Sequence, residues 1–392
     1  MRKIQILIMA FVATTQVFAQ KHLTDVLAAI EQNNVSLKAM RENVKAEQLE
    51  NKTDIFLSDP ELGFNYLWGS PSPIGNRTDV SITQSLDIAT LTGKKTQVAN
   101  QKNKMLEWQY QVERMRVLLE AKQYVLDLIY YNRLLQEMET RKQYATSIAA
   151  IQKQRLDKGE GNILEYNNVC MGQTKIEAEI QRLETERTTI LSQLSTLNGG
   201  EPVVMADTEY PAIALPADFD TWYVSAEGKN PILGYVKSSI ELSKKQLALN
   251  KSLGLPSFSI GYMSEKTMGE HYQGVSVGVS IPLWSNKNKV RQAKAAVSAA
   301  MARKEETTSL FYGQLKGSYQ RALGLQEAAR MYQRSFTAAN NSQLLKKALD
   351  AGEISVLDYL VQMELYYDSM DKALSTERDF QKACAELSAY AL

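Results

Sequence analysis

Few residues of this 392-residue chain are equipped for bond-making chemistry, and those few are scattered. There are two histidines, His22 and His271, in unrelated contexts, and two cysteines, Cys170 and Cys384. Catalytic triads and most zinc sites need histidine or clustered cysteine, and neither pattern is present. No G-x-x-x-x-G-K-[ST], H-E-x-x-H or G-x-S-x-G string occurs. Gly159-Glu160-Gly161 is glycine-rich, but no strand pattern precedes it, so it is not read as a phosphate loop. The carboxylates are spread along helical patterns as solvated faces. Neither an enzymatic activity, a cofactor nor a metal site is expected. The 45 basic and 44 acidic residues nearly balance, which gives no electrostatic footprint for a nucleic-acid partner.

What the sequence does contain is a repeated stretch. Leu156–Tyr166 reads LDKGEGNILEY and Leu349–Tyr359 reads LDAGEISVLDY, with six of eleven positions identical at an offset of 193 residues. Each copy sets a glycine, Gly159 or Gly352, at the end of a long helical pattern, and a second helix starts just after it. Glycine supplies the positive φ that ends a helix, so each copy predicts a helical hairpin. An offset near half the chain predicts a duplicated fold.

The elements that position these turns follow from proline and periodicity. Met1-Arg2-Lys3, an apolar run and Val17-Phe18-Ala19 predict a signal peptide over 1–19, cut before Gln20. No cysteine follows that point, so no lipid anchor is expected there. Of the 45 basic residues Arg2 and Lys3 would leave with the leader, so 43 face 44 acidic ones. Prolines occur at 60, 71, 73, 202, 211, 216, 231, 256 and 282. The blocks 74–201 and 283–392 are proline-free and rich in helix formers.

The first repeat, 20–200, opens with a helix over 22–53. Strands at about 61–68 and 78–88 follow, in which Leu62, Phe64, Tyr66 and Trp68, then Val80, Ile82, Leu86 and Ile88, alternate with polar or small residues. Helices at about 92–158 and 162–197 complete it. Residues 201–228 read as a linker. The second repeat, 229–392, has strands at about 256–263 and 272–284 and helices at about 286–350 and 355–390. Val275, Val277, Val279, Ile281 and Leu283 form its clearest alternation, and Asn230, Pro256 and Tyr262 echo Asn34, Pro60 and Tyr66 at an offset of 196. The 92–158 helix carries two apolar seams, one through Trp108, Val112, Met115, Leu119, Leu126 and Ile129, the other through Leu118, Ala121, Val125, Leu128 and Leu135. Two seams predict neighbours on two sides. Such a helix spans roughly 100 Å at ~1.5 Å per residue.

No apolar helix of membrane-spanning length follows the leader, so a membrane crossing requires strands. Four strands cannot close, and known barrels need at least ~8, so chains must share one barrel. A soluble antiparallel sheet shows the same alternation. Export, and the aromatic residues near strand ends, favour the membrane.

The leader, the two copies of helix–hairpin–long helix–glycine turn–return helix, and the closing Leu194-x-x-Leu197-Asn-Gly together resemble the TolC family of outer-membrane efflux factors. The resemblance covers essentially the whole chain after the leader. Pro60-Glu61-Leu62 with Gln84-Ser85-Leu86-Asp87 and Gly93-Lys94-Lys95 is similar to the heavy-metal efflux, CzcC-like branch. It implies a mainly α fold with a transmembrane β-barrel portion, trimeric and twelve-stranded, continued by a periplasmic α-helical tunnel. Leu62, Phe64, Tyr66, Trp68, Val275, Val277, Val279 and Ile281 would face lipid.

The repeated stretch would then be the periplasmic tip. Family members carry acidic residues just after this turn that ring an aperture; the matching positions are Asp358 and, in the first copy, Glu165. A further acidic position of the family is Val361 here, which thins the ring. Helix N-terminal charges favoured by the dipole explain the same two carboxylates. Gly159, Glu160, Gly352 and Glu353, with Leu156, Leu349, Leu164 and Leu357, would shape the tip and dock a periplasmic adaptor; for the leucines, packing between helices is the alternative. The function implied is an exit duct of a tripartite efflux system, fed by an inner-membrane resistance–nodulation–division transporter and conducting drugs or metal cations. The alternatives are the duct of a type I protein secretion system and a soluble periplasmic coiled-coil scaffold.

Overall fold

The computed structural model describes residues 22–338 and 341–392; the expected leader lies outside the described residues. Helix α1 covers 22–33 and α2 covers Val35–Glu50. One helix was expected across this region, but Asn34 divides it. The Asn34 Oδ1 accepts from the Leu37 amide at 2.9 Å, and its Nδ2 donates to the Leu197 carbonyl at 2.8 Å. A side chain that competes for backbone groups stops one helix and caps the next.

Strands β1, Glu61–Leu67, and β2, Arg77–Leu86, come next. Ile88 is not in the strand as expected. Asp87 accepts from the Thr90 amide at 2.7 Å and starts the short helix α3, Ile88–Leu91. Helix α4 then runs Lys94–Asp157 and α5 runs Ile163–Leu197.

The stretch expected to be linker ends in a helix, α6, Phe219–Lys229. Its three prolines all precede it, Asp218 accepts from the Thr221 amide at 2.8 Å, and Phe219, Tyr223 and Ala226 are buried. Helix α7, Pro231–Ser252, starts at Asn230, whose Oδ1 accepts from the Ile232 and Leu233 amides. Pro231 occupies the first helical position, where no amide is needed. Asn34 and Asn230, matched by sequence offset alone, are thus both buried helix caps, each 4% exposed.

Strands β3, Ser257–Lys266, and β4, His271–Ser280, complete one antiparallel sheet in the order β1-β2-β3-β4. Ile281 and Leu283 lie past the end of β4, because Pro282 has no amide for the ladder. Helix α8 runs Lys289–Ala338, starting after Asn288 at φ 65°; α9 covers Asn341–Asp350 and α10 Val356–Leu387.

The chain divides into two compact units, and each takes segments from both sequence halves. The unit of residues up to Lys38, 113–229 and 311–392 is helical. Asp127–Lys382, Arg133–Glu377 and Arg141–Asp371 join α4 to α10, and the descending α10 numbers fix the two helices as antiparallel. Arg187 to Asn132 and Gln173 to Thr146 pair α5 with α4 in the same sense. Both expected seams run into the core here: Leu118, Ala121, Val125, Leu126, Leu128 and Ile129 are at most 3% exposed, while Met115, Leu119 and Leu135 are half-buried.

The unit of residues 39–112 and 230–310 holds the sheet and a cluster of Ala89, Val98 and Leu249. Gln101 Nε2 donates to the Ser238 carbonyl and hydroxyl within it. Trp108, first in its seam, is 37% exposed, with its ring laid on α7 where a Cβ at Gly234 would come within 2.7 Å.

Replacing a capping asparagine leaves helix amides without an acceptor. Asn230→Ala is expected to cost about 1 kcal/mol. Asn34→Ala is expected to cost more, because the Leu197 carbonyl also loses its donor. Thermal unfolding followed by circular dichroism measures both, and midpoints equal to that of the unaltered chain contradict the capping role.

Candidate functional site

The two repeated turns share one geometry. At the first, the Gly159 amide donates to the Leu156 carbonyl at 3.0 Å and the Glu160 amide to the Arg155 carbonyl at 2.9 Å. At the second, Gly352 donates to Leu349 at 3.0 Å and Glu353 to Ala348 at 2.9 Å. This double closure satisfies the last carbonyls of a helix and needs a left-handed residue. Gly159 and Gly352 supply it with φ of 76° and 73°. Nothing lies within 4 Å of a Cβ built on either glycine, so backbone conformation alone demands the residue type.

The returning helices are capped by residues that the sequence reading did not single out. Asn162 Oδ1 accepts from the Leu164 amide at 2.9 Å, and Ser355 Oγ accepts from the Asp358 amide at 3.1 Å. The available signal was the capping-box spacing, Asn162-x-x-Glu165 and Ser355-x-x-Asp358. Asp358 is exposed, and its carboxylate accepts from the Ser355 hydroxyl at 2.6 Å. Glu165 is half-buried in the equivalent first turn of α5. Both carboxylates therefore stand at a helix N-terminus, where partial positive charge stabilises them.

The tip leucines divide in two. Leu349 packs against the cluster of Ile148, Val169, Val356, Tyr359 and Met363, which joins α4, α5 and α10. Leu156 is half-buried, whereas Leu164 and Leu357 are 67% and 55% exposed. Glu160 and Glu353 are exposed. Val361 and Leu365 extend the exposed apolar stripe of Leu357 along α10.

Further along the helices, Arg141 is clamped. Its guanidinium makes two bonds to the Asp371 carboxylate, at 2.5 and 3.0 Å, and lies 4.3 Å from the Tyr367 ring centre. The Arg141 side chain is only 4% exposed, so its charge depends on these contacts.

The sheet is a second candidate surface. Its register places Leu62, Ile82, Tyr262 and Val275 on one rung. Phe64 and Val80 share the next, Ile260 and Val277 another, and Leu86, Phe258 and Val279 a fourth. All of these belong to one face, and most are exposed, up to 81% at Val275. Tyr66 lies on the same face; Trp68, just past β1, is 79% exposed and meets it edge-on at 5.5 Å. Ile281, past β4, is 64% exposed. The opposite face carries Gly63, Ser81, Met263 and Gly274, then Asn65, Asp79, Glu265 and Tyr272, with Arg77 bridging Asp79 and Glu265 at 2.7 and 2.9 Å. Burying a large apolar side chain is worth about 1.5–3 kcal/mol. The eleven named on these rungs are only partly covered, and what they forfeit is comparable with the ~5–15 kcal/mol by which a whole domain is stable. This face is built to be covered.

No group of histidine, cysteine or carboxylate able to hold a metal ion occurs among the described residues, and no helix there is long and apolar enough to cross a membrane. Cys170 and Cys384 are both free thiols; burial pushes Cys384 up to about 11, with the Lys122 charge opposing.

No family model matches the chain. The alkaline protease secretion protein AprF of Pseudomonas aeruginosa is 23% identical over 189 residues, 45% of this chain and 39% of that protein, so the match spans well under half of that relative. The CmeC outer membrane channel of Campylobacter jejuni superposes with a TM-score of 0.74 at 15% identity, over 94% of this chain and 85% of that one. The outer membrane protein VceC of Vibrio cholerae does so with a TM-score of 0.73 at 14% identity, over 95% and 97%. At such identities the likeness establishes the fold, which is that of TolC-family channels: long helices carrying a small sheet.

Two measurements check the site. Gly159→Ala and Gly352→Ala are each expected to cost about 1–2 kcal/mol of thermal stability, with no compensating contact to lose or gain. Asp371→Ala is expected to destabilise far more than Glu364→Ala, since Glu364 forms an exposed pair with Lys175 whose worth is about 0–1 kcal/mol. Equal effects of these last two contradict the clamp. Maleimide at pH 8 is expected to label Cys170 and spare Cys384 in the native protein; labelling of both at one rate contradicts the packing of α10.

Proposed function

We propose that this chain is the exit duct of a tripartite export system, standing in the outer membrane with its helices in the periplasm. The observation that carries the reading is the sheet: one apolar face, one polar and small-residue face, and two edge strands without neighbours. In lipid an unpaired edge is not tolerated, so four strands must join those of other copies. Three copies give twelve strands, the homotrimer expected from the resemblance. Leu62, Phe64, Tyr66, Trp68, Val275, Val277, Val279 and Ile281 would then meet lipid, and the polar face would line water. The fold shared with outer-membrane channels supports this arrangement.

The two glycine turns are the far ends of the helical hairpins. In the proposed trimer Asp358, with Glu165, rings the aperture and draws cations. The exposed Leu164 and Leu357, rather than the packed Leu349, are the apolar contacts offered to a periplasmic adaptor. An inner-membrane transporter of the resistance–nodulation–division type supplies energy and choice of substrate, and the chain itself does no chemistry. The CzcC-like motifs point to metal cations as the substrate class. The likeness to a protein named for protease secretion favours a second reading, protein export driven by an ATP-hydrolysing transporter.

Purified in detergent, the protein is expected to be a heat-sensitive trimer that forms cation-selective pores in planar bilayers. A monodisperse monomer without conductance sinks the reading, as does recovery in the soluble periplasmic extract. Asp358→Ala is expected to weaken cation selectivity, while Ser355→Ala, which removes the cap and keeps the charge, preserves it. The adjacent transporter gene separates the two export readings.

A further inference from the structure

The two edge strands carry opposite charge at the same end of the sheet. β1 begins at Glu61 and β4 ends at Ser280, and in the order β1-β2-β3-β4 these termini lie together at one end. Asp54, Asp59 and Glu61 stand at the entry to β1. Lys287, Lys289 and Arg291 follow β4, with Lys294 one turn on, and no acidic residue occurs between Glu270 and Glu305. All seven side chains are exposed, and among the described residues none of them joins an ion pair.

The interior positions of the same sheet differ. Helices α4 and α8 begin at Lys94 and Lys289, and the residues before them, Gly93 and Asn288, both have φ of 65°. In that alignment Asp87 corresponds to Pro282, and Asp87 is paired within the chain to Lys95 at 3.2 Å. β1 and β3 begin at Glu61 and Ser257, which sets Asp59 against Leu255 and Glu61 against Ser257. So, where a strand has a neighbour in its own chain, Asp87 and Lys95 neutralise each other, and Leu255 and Ser257 stand where the edge has Asp59 and Glu61, although Lys94 keeps the charge of its counterpart Lys289. Unpaired charge of opposite sign remains at the two edges that have none.

We propose that these two charge sets are an inter-subunit lock: β4 of one copy pairs antiparallel with β1 of the next, and Lys287, Lys289 and Arg291 of one face Asp54, Asp59 and Glu61 of the other. The inference rests on the duct reading, which needs the sheet to close through further copies. Only head-to-tail pairing brings the sets together; a two-fold contact between like edges leaves both unpaired. The charges therefore set the direction of assembly as well as adding to its strength. Their exposure makes the lock sensitive to salt.

The test uses the full chain in detergent, with dissociation of the trimer followed by native mass spectrometry. Lys287→Glu with Lys289→Glu and Arg291→Glu is one variant, Asp54→Lys with Asp59→Lys and Glu61→Lys the second, and all six together the third. Each reversed set is expected to speed dissociation about tenfold or more at low salt, three rim pairs being lost at every interface, and the combined variant to restore it. Should a reversed set fail to fold, the glutamine versions of the three cations are expected to dissociate faster with a weaker salt dependence. An unaltered trimer whose dissociation ignores these substitutions overturns the lock and leaves the duct reading standing, whereas an unaltered monomer overturns both. Rescue by phosphatidylglycerol micelles without rescue by the combined variant assigns the cations to lipid headgroups and also overturns the lock.

Discussion

A strand in hydrocarbon has no water to satisfy its backbone, so every amide and carbonyl along it must find another strand. The sheet of this chain meets that demand on the inner sides of β1 and β4 and leaves it open on their outer sides. Its apolar face carries the same message in side chains, since Val275, Val277 and Leu62 stand almost fully in water in the single chain. The opposite face is mostly serine, glycine and charged residues, with Arg77 held between Asp79 and Glu265, though Leu67, Met263 and Tyr272 also lie on it. One incomplete element thus accounts for two things at once, the need for more copies and the division of its surroundings into lipid and water in the proposed assembly.

The helices solve a different problem, how to reverse direction without exposing unpaired backbone at each end. Gly159 and Gly352 close the outgoing helices, and Asn162 and Ser355 open the returning ones within a few residues. These ends are nearly self-sufficient, which leaves Leu164, Leu357 and Val361 free of any packing duty in the chain. The shafts are held differently. Ion pairs between α4 and α10 alternate with buried apolar residues, and Arg141 is deep enough that Asp371 and Tyr367 together decide whether its charge is tolerable. Asp371 therefore bears on the stability of the shaft, while Asp358 is solvated and tied only to Ser355 within the chain.

Much of this was legible in the sequence because it is local. Period-two alternation announced the strands, glycine after a long helical run announced the turns, and proline-free blocks announced the helices. Each depends on residues within a turn or a rung of one another. The caps are equally local: the Ser355-x-x-Asp358 spacing carries both the capping hydroxyl and the acid. Three prolines give the stretch before α6 the composition of a linker, but a helix depends on the residues inside it. The alternation of Ile88 predicts strand, and Asp87, by accepting from the Thr90 amide, makes it helix instead.

By itself the sequence determined the inventory: a duplicated pattern, four amphipathic strands and long helices with glycine-closed turns. The tertiary structure alone decided partnership. It showed that Asn34 reaches the Leu197 carbonyl, that Arg141 finds Asp371, and that the two compact units each draw on both repeats. It also showed that charges of opposite sign near the two open edges of one sheet join no ion pair among the described residues. Periodicity is written over spans of two to seven residues, and it states which face of an element is apolar. Which distant element covers that face depends on contacts between residues hundreds of positions apart, and nothing local in a chain encodes them.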